Sequence, residues 1–314
     1  MYHIKTRTLI LLFYFLGLTT VFTQPKAIEI EYKRNDDNSV DFTYIKHKPG
    51  SFQVVMTFSQ LSNCRQGKYS AIIKAKTGRL LRLKPIDPEQ PINFAYSTRT
   101  GRGTPNPKID PELKYLLPFA TGKTVSVDES TQLRAQYFKA KANASWKAFH
   151  FNLPEAETVY AIRKGIVVEI KDGQKHEVSN NISYTSKLNE VLIEHKDGTY
   201  GRYSGFARGS ITVKLGQMVY PRTQLGKLTQ FNERDYRLYL MVYYLTQNIE
   251  DYKKQSLQSE DTHGYVDPWF VTEKGVVKLQ DDHQYTVQLN EEVILQEFSR
   301  REKKRYKKDP VSFQ

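Results

Sequence analysis

The side chains that could do chemistry in this chain are few and scattered. It has seven histidines, His3, His47, His150, His176, His195, His263 and His283, and none of them forms a His-x-His or His-Glu-x-x-His pair. A catalytic zinc needs about three protein ligands plus a water. One imidazole without neighbours does not hold the ion, so no cofactor is expected. A serine nucleophile would need a Gly-x-Ser-x-Gly elbow, which is absent. Cys64 is the only cysteine, which excludes an intrachain disulfide, a cysteine zinc site and an iron–sulfur cluster. Gly101-Arg102-Gly103 is half of a phosphate loop, but the strand, helix, Lys and Ser/Thr that would complete it are missing.

Binding chemistry is better represented. Arg237 and Tyr239 lie two residues apart in an alternating run and so face the same side of a strand. A guanidinium can grip a carboxylate at two points, and an aromatic ring can stack on a sugar or peptide plane. Near the C-terminus, residues 300–308 carry seven basic side chains and one acid. That run suits contact with an anionic membrane or wall polymer, and equally a solvated helical tail.

The elements that must position these groups are mainly strands. The chain has 314 residues, 39% hydrophobic and 26% charged, with a net charge of +13. It is long enough for a real core and one to three domains. Residues 1–23 read as a secretory signal peptide, with a basic start and an apolar run too short to span a bilayer. The mature protein is therefore expected to be exported, which makes nucleic acid an unsuitable partner. Period-two alternation predicts strands at 28–32, 40–46, 51–58, 70–74, 80–83 and 92–97, a β-sandwich-like domain over 25–130. Residues 98–111 read as a long loop and 125–131 as a polar connection. A second block predicts strands at 159–163, 166–171, 190–195, 200–205, 218–220 and 236–245. One helix is expected at 291–308, with Glu297 and Arg301 as an i,i+4 pair. Residues 251–314 form a C-terminal extension. Asn143 and Asn181 fit the glycosylation acceptor pattern, which has meaning only in a source that glycosylates exported proteins.

The second block, 140–250, resembles the β-sheet core domain of lysostaphin/LytM-type zinc endopeptidases. The likeness lies in His150-Phe151-Asn152-Leu153-Pro154 with Val159-Tyr160-Ala161, in Gly165-Ile166-Val167, and in Val191-Leu192-Ile193-Glu194-His195-Lys196-Asp197-Gly198. It continues in Tyr203-Ser204-Gly205-Phe206, Gly216-Gln217-Met218-Val219, Leu225-Gly226 and Arg237-Leu238-Tyr239. The resemblance implies a duplicated hybrid-motif sheet and a bacterial cell-envelope protein, but it also implies that the chemistry is missing. Trp146 stands for the family's first zinc ligand, His150 for the Asp, Gly205 for the proton-handling His, and Arg237 and Tyr239 for the His-x-His pair. Only His150 is an ordinary ligand, and it is a weak one alone. The expectation is thus a degenerate member with no catalytic residues. Its groove would be formed by Trp146, His150, Tyr203, Arg237 and Tyr239. It would bind wall peptide or glycan or another anionic envelope polymer, or regulate a partner hydrolase. The alternatives are an active zinc endopeptidase with a rearranged metal site, and a purely structural envelope protein. His195 is expected to be a hairpin histidine satisfied by backbone.

Overall fold

The computed structural model describes residues 26–129, 145–175, 188–250 and 262–313. The expected signal peptide, His3, His176, Asn143 and Asn181 lie outside the described residues.

The N-terminal strands are β1 (Ile28–Arg34), β2 (Val40–Lys46), β3 (Phe52–Ser62), β4 (Lys68–Ile73), β5 (Thr77–Leu83) and β6 (Asn93–Arg102). They form two antiparallel sheets, ordered β1-β2-β5 and β4-β3-β6. Alternation decides which face is buried: Val40, Phe42 and Tyr44 turn inward from β2, and Val54 and Met56 from β3. With Leu83 and Ile92 they make one core between the two sheets. Strand β6 runs five residues beyond its predicted end. Gly101-Arg102 is therefore sheet and not loop, and residues 93–102 pair with β3 through most of their length.

A nine-stranded sheet carries the rest. It contains β8 (Thr124–Glu129), β9 (Phe149–Leu153), β11 (Gly165–Lys171), β12 (Asn189–Glu194), β13 (Tyr200–Phe206), β14 (Met218–Val219), β16 (Tyr236–Leu245), β17 (His263–Val266) and β20 (His283–Thr286). The order is β14-β11-β12-β13-β16-β9-β8-β20. Strand β16 pairs along one edge with β13, and along the other with β9 and then β17. Two small sheets complete the fold. One pairs β10 (Thr158–Tyr160) with β15 (Gln224–Lys227), and the other joins β7 (Lys114–Leu116), β18 (Trp269–Thr272) and β19 (Gly275–Lys278).

Two expected boundaries do not coincide with the sheet. The stretch read as a polar connection is β8, whose Val125 and Val127 are buried while Thr124, Ser126 and Asp128 alternate with them. The expected extension supplies β17 and β20 to the same sheet, so 130 and 250 both fall inside one hydrogen-bonded unit. Their runs are only four to six residues long, too short to signal a strand against polar neighbours.

The C-terminal helix is broken in two. Helix α1 spans Glu291–Leu295 and α2 spans Arg300–Lys308. Ser299 begins α2 with a capping box, its side chain accepting from the Glu302 amide while Glu302 accepts from the Ser299 amide. Glu297 lies between the helices and turns inward to Arg163 instead of pairing with Arg301.

The sandwich is fastened to the large sheet by polar contacts. The Glu194 carboxylate accepts the Ser51 amide on both oxygens, at 3.1 and 2.9 Å, and both residues are buried. Arg102 donates to the carbonyls of Val168 (2.9 Å) and Pro49 (3.3 Å).

Candidate functional site

Strand β16 has two unlike faces. Leu238, Leu240 and Val242 point into the main core with Phe149, Phe151 and Ile193. Arg237, Tyr239, Met241 and Tyr243 point the other way. Register places His150 opposite Tyr239 and Asn152 opposite Arg237 across β9. It places Asp128 of β8 opposite His150, and Ser204 of β13 opposite Tyr239.

Three of the expected groove residues thus meet on one face: His150, Arg237 and Tyr239. The His150 and Tyr239 rings lie 5.2 Å apart, centre to centre. Trp146 joins the adjoining cluster of Tyr239, Met241 and Tyr243, with its ring 4.7 Å from Tyr265. Tyr203 does not belong with them. It pairs with Leu240 and is wholly buried in the main core, where its hydroxyl accepts the Ile162 amide at 3.1 Å. Counting by twos from Ser204 puts Tyr203 on the opposite face of the sheet.

Gly205 is more than a missing side chain. Its φ of +114° lies in the left-handed region, and a Cβ there would collide with the Arg237 carbonyl oxygen. The backbone at this position accommodates glycine alone, so a proton-handling side chain is excluded by conformation as well as by identity.

A hydrogen-bonded chain runs across the open face. Arg237 Nε donates to Asn152 Oδ1 at 2.6 Å, and Asn152 Nδ2 donates to Asp128 Oδ2 at 2.7 Å. The guanidinium lies 4.1 Å from the Phe231 ring centre. Its two terminal nitrogens have no hydrogen-bond partner among the described residues. Asn152 and Asp128 were not singled out in the sequence. The spacing of His150 and Asn152 on one strand mirrors that of Arg237 and Tyr239 and could have flagged Asn152, whereas Asp128 gave no signal.

Burial pushes the His150 imidazole down to about 4; the Arg237 charge pushes the same way and Asp128 opposes both. The ring is therefore neutral at physiological pH. His150 and Asp128 are two candidate donors where a catalytic zinc needs three. Arg237 would add a fixed positive charge beside the ion. Among the described residues no group of three His, Cys, Asp or Glu side chains could hold a metal. The site does not fit a catalytic zinc.

The other titratable groups are structural. The His195 Nδ1 is 2.9 Å from the Lys164 carbonyl oxygen, and the ring is buried beside Gly201. Burial and then Arg163 favour its neutral form. His47 meets Glu29 at the surface, and His283 lies against the Asp281 carbonyl. Cys64 packs half-buried against the sandwich core. Arg163 is 1% exposed and meets Glu297 through Nε (3.0 Å) and Nη2 (2.5 Å), and Asp197 through Nη1 (3.0 Å).

No protein-family model matches the chain, and no curated protein matches it. Solved structures give distant likenesses. A peptidase M23 from Pseudomonas aeruginosa is 13% identical, over 60% of this chain and 82% of that one, with a TM-score of 0.27. A zinc-containing peptidase from Vibrio cholerae is 12% identical, over 70% and 83%, with a TM-score of 0.24. Csd3 of Helicobacter pylori is 8% identical, over 91% and 84%, with a TM-score of 0.27. Scores this low carry no functional argument.

Proposed function

We propose that this chain is a non-catalytic relative of the lysostaphin/LytM-type endopeptidases, exported to the bacterial cell envelope. Its β9–β16 face binds a carboxylate-bearing wall peptide or glycopeptide, and through that contact regulates a partner hydrolase. One observation carries the reading. The inner nitrogen of Arg237 is fixed by Asn152 and Asp128, while its outer edge remains available on a face lined by His150 and Tyr239. A guanidinium held this way is preorganised for a two-point grip on a carboxylate. Among the described residues, this face offers no third metal ligand beside His150 and Asp128, and Gly205 supplies no proton-handling side chain.

The test is isothermal titration of the full chain with muropeptides, alongside zinc analysis and a hydrolysis assay. Binding heat that disappears in Arg237→Ala, with no product formed, is the expected result. Absence of heat with the wild type removes the binding role. Near-stoichiometric zinc with muropeptide cleavage, both lost on chelation, would establish the enzyme instead.

A further inference from the structure

Helix α2 carries +6 of the chain's net charge of +13. All seven lysines and arginines of α2 are exposed. Its single acid is turned inward: Glu302 meets Lys164 Nζ at 2.7 Å and accepts from the Tyr220 hydroxyl at 2.8 Å. Tyr306, one turn later on the same side, packs against Phe298 and Phe313 at 5.8 and 5.7 Å between ring centres. Together with the Ser299 cap, these contacts fix the helix in one orientation. What it presents outward is cationic, with Asp309 and the α1 residues Glu291 and Glu292 as exposed acids at the margins.

Exposed apolar side chains flank the two helices in the chain. Val311, three residues beyond α2, is 72% exposed, and Leu289 is 41% exposed. Leu289 shares a shallow cleft with Tyr306, Ile294 and Phe313. A soluble anionic polymer would use the charges alone. A bilayer surface uses both, cations against headgroup phosphates and apolar side chains at the acyl boundary.

We infer that α2, with Leu289 and Val311, is a docking surface for an anionic lipid bilayer. The surface is separate from the β9–β16 face, so this inference stands or falls independently of the function proposed above. Basic residues near an anionic leaflet each strengthen binding about fivefold at physiological salt, and the attraction is screened within a Debye length.

The experiment is sedimentation of the full chain with two kinds of vesicle, phosphatidylcholine alone and phosphatidylcholine with one third phosphatidylglycerol. Binding only to the anionic vesicles, weakened at least tenfold by high salt, is expected. Replacing Lys303, Lys304, Lys307 and Lys308 by Gln should abolish it. These side chains are exposed, so an unchanged thermal midpoint checks that the fold is intact. Leu289→Ser with Val311→Ser should weaken vesicle binding severalfold while leaving capture by soluble polyphosphate unaltered. Three outcomes would each overturn the inference. They are no binding to anionic vesicles, equal binding to both kinds, and vesicle binding indifferent to the two apolar substitutions. The last would assign the surface to phosphate polymers.

Discussion

Two arginines divide the molecule into a region that is closed and a region that is open. Arg163 is enclosed, with Glu297, Asp197, Thr199 and the Tyr115 hydroxyl around its guanidinium. Arg237 is anchored at one nitrogen by Asn152 and stacked on Phe231, with its outer edge unbonded among the described residues. The difference teaches how to tell a structural cation from a binding one. A buried charge whose donors all meet internal partners holds elements together, here the C-terminal segment to the sheet. A charge fixed at its inner edge alone is aimed.

The strongest break in this comparison comes from Arg163→Ala. It leaves two carboxylates without their partner and should cost about 3–5 kcal/mol in urea unfolding. A cost under 1 kcal/mol would mean that Glu297 and Asp197 are solvated in solution. Gly205→His, which puts the proton-handling residue of the lysostaphin/LytM pattern at this position, should come next. The positive φ and the collision with the Arg237 carbonyl together should cost about 3 kcal/mol. It should also fail to generate hydrolysis of a muropeptide. A variant as stable as the wild type would show that the backbone yields there.

His150 gives a pH signature. Its pKa falls from an unfolded value of 6.5 to about 4 in the fold. The unfolded chain therefore binds the proton more readily between those values. The contribution is complete above pH 6.5 and is lost as pH falls towards 4. It should amount to about 2 kcal/mol, below the full shift because the ring is partly exposed. His150→Gln should flatten that part of the stability profile. An unchanged slope would place the titration elsewhere. The smallest effect is on the open side: Arg237→Ala should alter stability by less than about 1 kcal/mol while removing ligand heat. A large loss of stability would make Arg237 a second Arg163.

The sequence shows much of the sandwich and of β16, because long alternating runs leave one reading. Strand β2 and strand β16 have the bounds that alternation predicts. Strand β8 could not be read that way, since its two valines sit among Thr, Ser and Asp and are buried only by neighbours distant in the chain. The same holds for β17 and β20. The helix break at 296–299 was readable in principle, because Ser299 and Glu302 spell a capping box. The i,i+4 spacing of Glu297 and Arg301 suggests one continuous helix instead. Within the site, Arg237, Tyr239 and His150 follow from the family pattern and from strand periodicity. Tyr203 lies on the opposite side from the one expected, because motif spacing does not reveal which face a residue takes. Asn152 and Asp128 matter through pairing across strands, which one chain read alone does not display.

Glu194 has a practical consequence for anyone who divides the protein. Its carboxylate holds the Ser51 amide from the other unit, and Arg102 reaches back to Val168. Cutting between the units would strip an anion in one fragment of its donor, and bare a backbone amide in the other. Truncated versions would then misrepresent both pieces, and an isolated sheet would expose a Glu194 surface that the intact protein covers.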